Sequence, residues 1–376
     1  MAVGILILLF IAAIFMPKSK LLYWIILSYM WLLFSLNTGA PDTSIYEWIY
    51  YDNIPDAFEP LFTALMMVCK AMHFSFISFR MIVASLLLIF LNLTFKKIEE
   101  YKTLAIAMYM IAPFPWQISG MRAALSCVIV MYALSVLIEN PGKNTKKYCF
   151  FLLVATLIHY SSILFAVMLF VKNVKKESTR KRMITYILIA VIGTLIVQHT
   201  DILFYVVSKF TSREKILTWL SGGPGKEGYP NWKGFTAELI ILFGNIILTI
   251  KSKAIVSRHD LTGDRAKIAK IICDLNIMMI FFIPLLRLND TYMRLLLVMH
   301  GVNIVLYTMT ALILQENGET QKNKRSVWII TPKLRLSLYV LIVPLWTYLI
   351  ALYQTLPYLG TTESVFEFLN RNIMFY

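Results

Sequence analysis

The sequence predicts an all-α polytopic membrane protein, a single integral membrane domain over residues 1–376, and three observations lead there. Hydrophobic residues make up 59 % of the chain and charged residues only 15 %, against about 25 % charged in a soluble domain. Mean hydropathy is +0.69. The apolar residues come in runs parted by short polar or basic breaks, and backbone groups in hydrocarbon must be satisfied by helices or a closed barrel. A barrel needs short alternating strands, and runs such as 77–95 do not alternate.

The net charge of +15 does not mark a nucleic-acid binder. Lys and Arg sit in the breaks between apolar runs, as the positive-inside rule expects, and form no basic stripe interleaved with stacking aromatics. Cys69, Cys127, Cys149 and Cys273 lie inside apolar runs without metal-ligand spacing and read as buried packing residues. Residues 1–15 lack a basic leader and a small-residue cleavage site, so they read as a retained first helix.

Six breaks, 18–20, 96–102, 143–147, 172–182, 251–267 and 322–335, hold two thirds of the 36 Lys and Arg residues. Placing all six in the cytoplasm forces an even number of crossings between any two of them. Residues 21–36 then leave the cytoplasm and 77–95 return, so 37–75 is the first outer loop. Its apolar half, 59–73, is too short to span and reads as an interfacial helix. Residues 103–138 become a helix pair turning at Pro113, Pro115 and Gly120. Residues 148–171 pose a sharper problem. One spanning helix would put the 172–182 break outside, so the segment reads as two arms of about 18 Å broken at His159–Ser162. Residues 200–234 form the longest outer loop. The sum is about twelve transmembrane helices with broken, re-entrant pieces and both ends outside.

Ionisable residues at membrane depth are expensive and are functional candidates by default. Here they converge on the outer side. The first outer loop carries Asp42, Glu47, Asp52, Asp56 and Glu59, with Tyr46, Tyr50 and Tyr51 between them. Later turns carry Gln117 and Arg122, then His159 and Ser161, then Arg287, Asp290 and Arg294. Each has a bland reading: loop acids are commonly solvated, Lys70 and Arg80 can snorkel, a lone His commonly bonds between helices, and Arg287 and Arg294 can be interface anchors. The set is harder to dismiss than its members. Arginine forks recognise phosphate, so several beside an acid suggest an anionic, phosphorylated lipid substrate.

Four motifs fall in order: Asp42-x3-Tyr46-x3-Tyr50, Glu59-Pro-Leu-Phe62, Gln117-x4-Arg122-Ala-Ala and His159-Tyr-Ser-Ser162. With these the chain resembles the EpsG family of exopolysaccharide and capsule polymerases, of the Wzy type. The resemblance implies a glycosyltransferase of the bacterial cytoplasmic membrane with a GT-C-like helical fold and an outward-facing site. It implies a growing glycan on polyprenyl pyrophosphate as donor and a lipid-linked repeat unit as acceptor. It also implies no cofactor, nucleotide sugar or metal, and a flippase and a chain-length regulator of the same pathway as partners. In that chemistry Arg122, Arg287 and Arg294 would meet the charge growing on the leaving pyrophosphate. Asp42 and His159 compete as general base, with Asp42 favoured. Gln117, Glu59, Tyr46 and Tyr50 would bind substrate, and Trp116 and Tyr160 would stack on sugars or serve as belt residues. The 200–234 loop carries no matching motif.

Three other readings stay open, the nearest being a ligase that moves the glycan onto a protein or wall acceptor with the same donor chemistry. A membrane O-acyltransferase would use an embedded His, His159 or His300, but would draw its donor from the cytoplasmic side. A lipid-linked glycan transporter would need polar residues on the inner halves of the helices, where Asp274 stands nearly alone.

Overall fold

Helix boundaries follow the polar breaks closely in the computed structural model, which describes residues 1–40, 42–52, 58–173, 179–198, 232–259, 263–288, 292–320, 342–343, 345–350 and 369–375. Asp56, Asp290 and nearly all of the 200–234 loop lie outside the described residues. The chain runs through α1 (Ala2–Phe15), α2 (Lys20–Ser35), α3 (Thr43–Asp52), α4 (Pro60–Ala71) and α5 (Phe76–Phe95). After a 3-10 turn come α6 (Lys102–Ile111), the short α7 (Phe114–Gln117), α8 (Met121–Glu139) and α9 (Thr145–Ile158). A 3-10 arm (Tyr160–Asn173) precedes α10 (Thr179–Gln198), α11 (Trp232–His259), α12 (Asp264–Met278), α13 (Ile283–Leu288) and α14 (Met293–Thr320).

Among the described residues five helical stretches are long and apolar enough to cross a membrane: Phe76–Phe95, Met121–Glu139, Trp232–His259, Asp264–Leu288 and Met293–Leu314. Shorter apolar helices, including Ala2–Phe15 and Lys20–Ser35, pack around them. Burial sorts the five. In its most apolar 18 residues, Met293–Leu314 has 94 % of positions buried and Met121–Glu139 83 %, against 39 % for Phe76–Phe95. A helix apolar all round belongs either in a protein interior or against lipid. Here α8 and α14 form the centre, while α10 turns Ile184, Leu188, Ile192 and Leu195 outward, as a lipid-facing helix does. The protein is thus an all-α, multi-pass membrane protein.

Both helix-pair segments are broken where the sequence places the breaks. Residues 103–138 become α6, α7 and α8, turning at Pro113–Gly120. In the second, the Tyr148 hydroxyl donates to the Phe165 carbonyl at 2.6 Å. Seventeen residues of straight helix would separate them by about 25 Å, so the 3-10 arm doubles back on α9. Ser126 on α8 clasps both arms, donating to the Ala155 carbonyl at 3.0 Å and sharing a short hydroxyl contact with Ser162.

Both ends meet the first loop on one side. The Met1 amine donates to Asn370 Oδ1 at 2.9 Å, and Asn372 bridges Asn37 beyond α2. Arg80 does not snorkel. It is 2 % exposed and donates to the carbonyls of Phe34, at 2.6 Å, and of Asn37, satisfying the C-terminal end of α2.

Interhelical polar pairs hold α11, α12 and α14 together where the hydrophobic effect cannot distinguish protein from lipid. Asn276 and Asn303 exchange amide bonds at 2.6 and 2.8 Å. Asn245 Oδ1 lies 3.3 Å from His300 Nδ1 and accepts from Tyr307 and Trp346. His300 is fully buried in the helix core, with Nδ1 beside Asn245. Arg182 and Asp274 form a buried ion pair at 2.9 Å between α10 and α12. Asp274→Ala leaves Arg182 buried without its counter-charge, a loss of about 3–5 kcal/mol. The protein in detergent should melt well below wild type, while Arg182→Met/Asp274→Leu recovers most of the difference; equal melting of wild type and single variant would show the pair to be idle.

Cys69 and Cys273 are buried as expected, but Cys149 is exposed on α9 and faces outward. The apolar run alone did not say which way it turns.

Candidate functional site

Glu59 precedes Pro60, the first residue of α4, and a residue before proline is driven to extended backbone. Its φ and ψ are −66° and 153°. The side chain does not cap its own helix and reaches instead to two distant segments. One carboxylate oxygen accepts from Arg122 in the first turn of α8. The other lies 3.1 Å from His159 Nδ1 and accepts from the Tyr160 backbone N–H at 3.4 Å. His159 occupies the break between α9 and the 3-10 arm, in extended conformation. Three motifs separated by up to a hundred residues thus meet at one carboxylate.

Burial alone would push the Glu59 carboxyl up, but the His159 hydrogen bond and the Arg122 charge outweigh it and hold it at about 2. Its ordinary value is 4.5. A depressed folded value means stability that is present above 4.5 and lost as pH falls towards 2. Thermal midpoints in detergent should therefore be flat from neutral pH to about 5 and then fall. Glu59→Gln should lack the part of the acid slope that belongs to this group; an unchanged slope would place the acid sensitivity elsewhere.

Because an ionised carboxylate only accepts, His159 carries its proton on Nδ1. In the neutral ring Nε2 then keeps its lone pair, and it has no protein partner among the described residues. Arg122 is held on every side. Its Nε donates to the Tyr46 hydroxyl at 3.2 Å, and its guanidinium lies 4.3 Å from the Phe58 ring centroid. Tyr46 stacks on Phe58 at 5.1 Å, so α3 contributes a brace for Arg122.

Arg294, in the first turn of α14, lies between two small cavities. One is lined by Trp116, Gln117, Gly120 and Arg294. The other is lined by Ser126, His159, Ser161, Ser162 and Arg294. Each has room for about one water-sized group, roughly 10 Å³. Asp42 lies on the first side. A methyl group on Gly120 would stand 3.8 Å from Arg294 Nη2 and 4.0 Å from Asp42 Oδ2. Burial raises the Asp42 carboxyl above its ordinary value, and the charges of Arg294 and Arg122 oppose that only in part. Gln117 accepts from Tyr109 at 2.5 Å through Oε1, while its buried Nε2 has no partner.

The structure therefore brings together Asp42, Tyr46, Glu59, Gln117, Arg122, His159 and Arg294. Among the described residues, the contacts of Tyr50 and Arg287 lie elsewhere. Tyr50 is 2 % exposed, donates to the Phe74 carbonyl and stacks on Phe79, in the packing of the first loop. Arg287 lies over the rings of Trp232 and Phe235 on α11, at 4.2 and 5.6 Å. Sequence reasoning read Gly120 only as a turn residue and passed over Ser126. Ser126 stands four residues after Arg122, on the same face of α8, and that spacing was a readable signal.

The sequence pattern of the EpsG family matches residues 20–359, which include every residue of this cluster. The chain belongs to the EpsG family. No curated protein and no solved structure matches it. EpsG membership makes the chain a polysaccharide polymerase in general terms, and the apolar helices make it a multi-pass membrane protein of that family. Lipid-linked glycan is the substrate class that membership implies.

Proposed function

We propose that this EpsG-family protein lengthens a polysaccharide at the outer face of the bacterial cytoplasmic membrane. It would transfer a growing glycan from polyprenyl diphosphate to a hydroxyl of a lipid-linked repeat unit. The observation that carries the reading is the Glu59 carboxylate shared by Arg122 and His159, with the Arg294 guanidinium beside the cavity His159 lines.

In the transfer, the acceptor oxygen bonds to the anomeric carbon as the bond from that carbon to the diphosphate oxygen breaks. The diphosphate leaves with the electron pair, and the hydroxyl proton passes to a base. His159 suits the base role, because Glu59 fixes Nδ1–H and leaves Nε2 free to accept, the logic of an oriented imidazole in hydrolase triads. Ser161 and Ser162 line the same cavity and would position the acceptor hydroxyl. Asp42 is the second candidate for base, favoured by its raised carboxyl. Arg294 would meet charge on the leaving diphosphate, and Arg122 would hold Glu59 in place. Tyr50 and Arg287 play no part in this step. With the reading go the rest of its expectations: a GT-C-like fold of about twelve crossings, a flippase supplying the repeat unit and a regulator setting polymer length.

The test is expression in the native pathway of wild type and His159→Ala at matched membrane abundance, with lipid-linked glycans and polymer sized on gels. The expected result is loss of polymer and accumulation of single repeat units on lipid. Polymer of normal length lacking a substituent such as acetyl would replace this reading with an acyltransferase. Repeat units trapped on the inner face would point to a transporter.

A further inference from the structure

Helix α8 begins inside the protein without a cap. Gly120, at the position before its first turn, has no side chain to accept from the free N–H groups, and Gly120, Met121 and Ala123 are all buried. The first N–H groups of a helix have no partner within it, and a buried helix end left so is a place for a ligand. Its partial positive charge favours an anion.

A second, independent feature points to the same place. Gln117 is 4 % exposed, and the Tyr109 hydroxyl holds its Oε1. That leaves Nε2 a buried donor with no acceptor, on a residue that lines the cavity together with Gly120 and Arg294. Three kinds of donor therefore surround a space the size of one oxygen atom: an amide N–H₂, a guanidinium and a helix start. The opposing charge is the Asp42 carboxylate, across Gly120.

We propose that this cavity is an oxyanion seat for one phosphate oxygen of the lipid carrier's diphosphate, distinct from the Glu59–His159 side that handles the acceptor. The proposal rests on the polymerase reading. Arg294 then separates two subsites: phosphate on the Gln117 side, sugar hydroxyl on the His159 side. Gly120 is required because any side chain would fill the seat, and Asp42 loosens the grip on diphosphate by like charge. A seat that held its anion too well would retain the spent carrier.

The test uses the full chain in detergent, titrated by calorimetry with farnesyl diphosphate, farnesol and inorganic pyrophosphate. Gln117→Glu is expected to weaken farnesyl diphosphate binding at least about tenfold, and Asp42→Asn to strengthen it by about the same factor. Farnesol binding should not change in either variant. Opposite signs from two variants guard against misfolding, because a damaged protein would not gain affinity. Farnesyl diphosphate affinities that stay within about twofold of wild type in both variants, or no binding to wild type, would overturn the seat. Pyrophosphate binding as tightly as farnesyl diphosphate would assign it to a free anion and overturn the carrier assignment. Failure of the polymerase reading shows separately, in cells: deletion of the gene would then leave polymer intact.

Discussion

Glu59→Gln should reduce polymer formation by about 10³–10⁴-fold, the scale on which an imidazole loses function when its orienting carboxylate becomes an amide. An amide offers one acceptor and one donor group where Glu59 offers two acceptors. If its oxygen faces Arg122, its N–H₂ faces His159 and favours the tautomer with the proton on Nε2, the wrong one for a base. If it faces His159, Arg122 loses its counter-charge. Either way a half-buried guanidinium is left short of charge, and a stability loss of up to about 3 kcal/mol should accompany the loss of activity. The two effects separate by comparison with Asp274→Ala, which should lose similar stability but keep activity in proportion to folded protein. Adding His159→Ala to Glu59→Gln should cost little more, because residues that act as a unit are strongly non-additive. Additive losses would show that the two act apart.

Arg294→Ala should lower polymer formation by about 10²–10³-fold with little loss of stability. That is the cost of removing one donor from a preorganised site of growing negative charge. Arg294 and Cys127 line both cavities, and Arg294 is the charged one of the two, so its loss should affect donor and acceptor together. Arg294→Lys keeps the charge but not the planar fork, and should recover only a small part. Full recovery with Lys would mean that charge alone matters and that no fork-shaped contact to phosphate exists. Arg287→Ala is the contrast. Its packing on Trp232 and Phe235 makes its effect one of stability, with the rate per folded molecule unchanged.

The broken segments were legible because charge placement is a counting rule. The basic break at 172–182 was expected on the same side as the break at 143–147, so residues 148–171 were expected to reverse, and the Tyr148–Phe165 hydrogen bond shows the two arms lying together. The motifs were also legible as a set, since ionisable groups at turns of one side have few places to go but towards each other. What sequence does not carry is rotation about a helix axis. Arg80 and Arg287 look alike in the chain, each a cation in an apolar run. One closes the end of α2 and the other packs on indole and phenyl rings. Tyr46 and Tyr50 share a spacing and a loop, yet one braces Arg122 and the other fills the packing beneath. Gly120 was legible only as a turn, because the cavity it lines with Gln117 and Arg294 is made by side chains from other segments.

The most direct measurement is transfer by the purified chain. Lipid-linked repeat units carrying a label would be supplied in vesicles to wild type, His159→Ala and Glu59→Gln, without nucleotide sugar, and products sized by mass. Oligomers on lipid from wild type alone, in steps of one whole repeat with free carrier diphosphate released at each step, are the expected result. Growth by single sugars, or oligomers from all three proteins alike, would contradict transfer of whole glycans at the Glu59–His159 site.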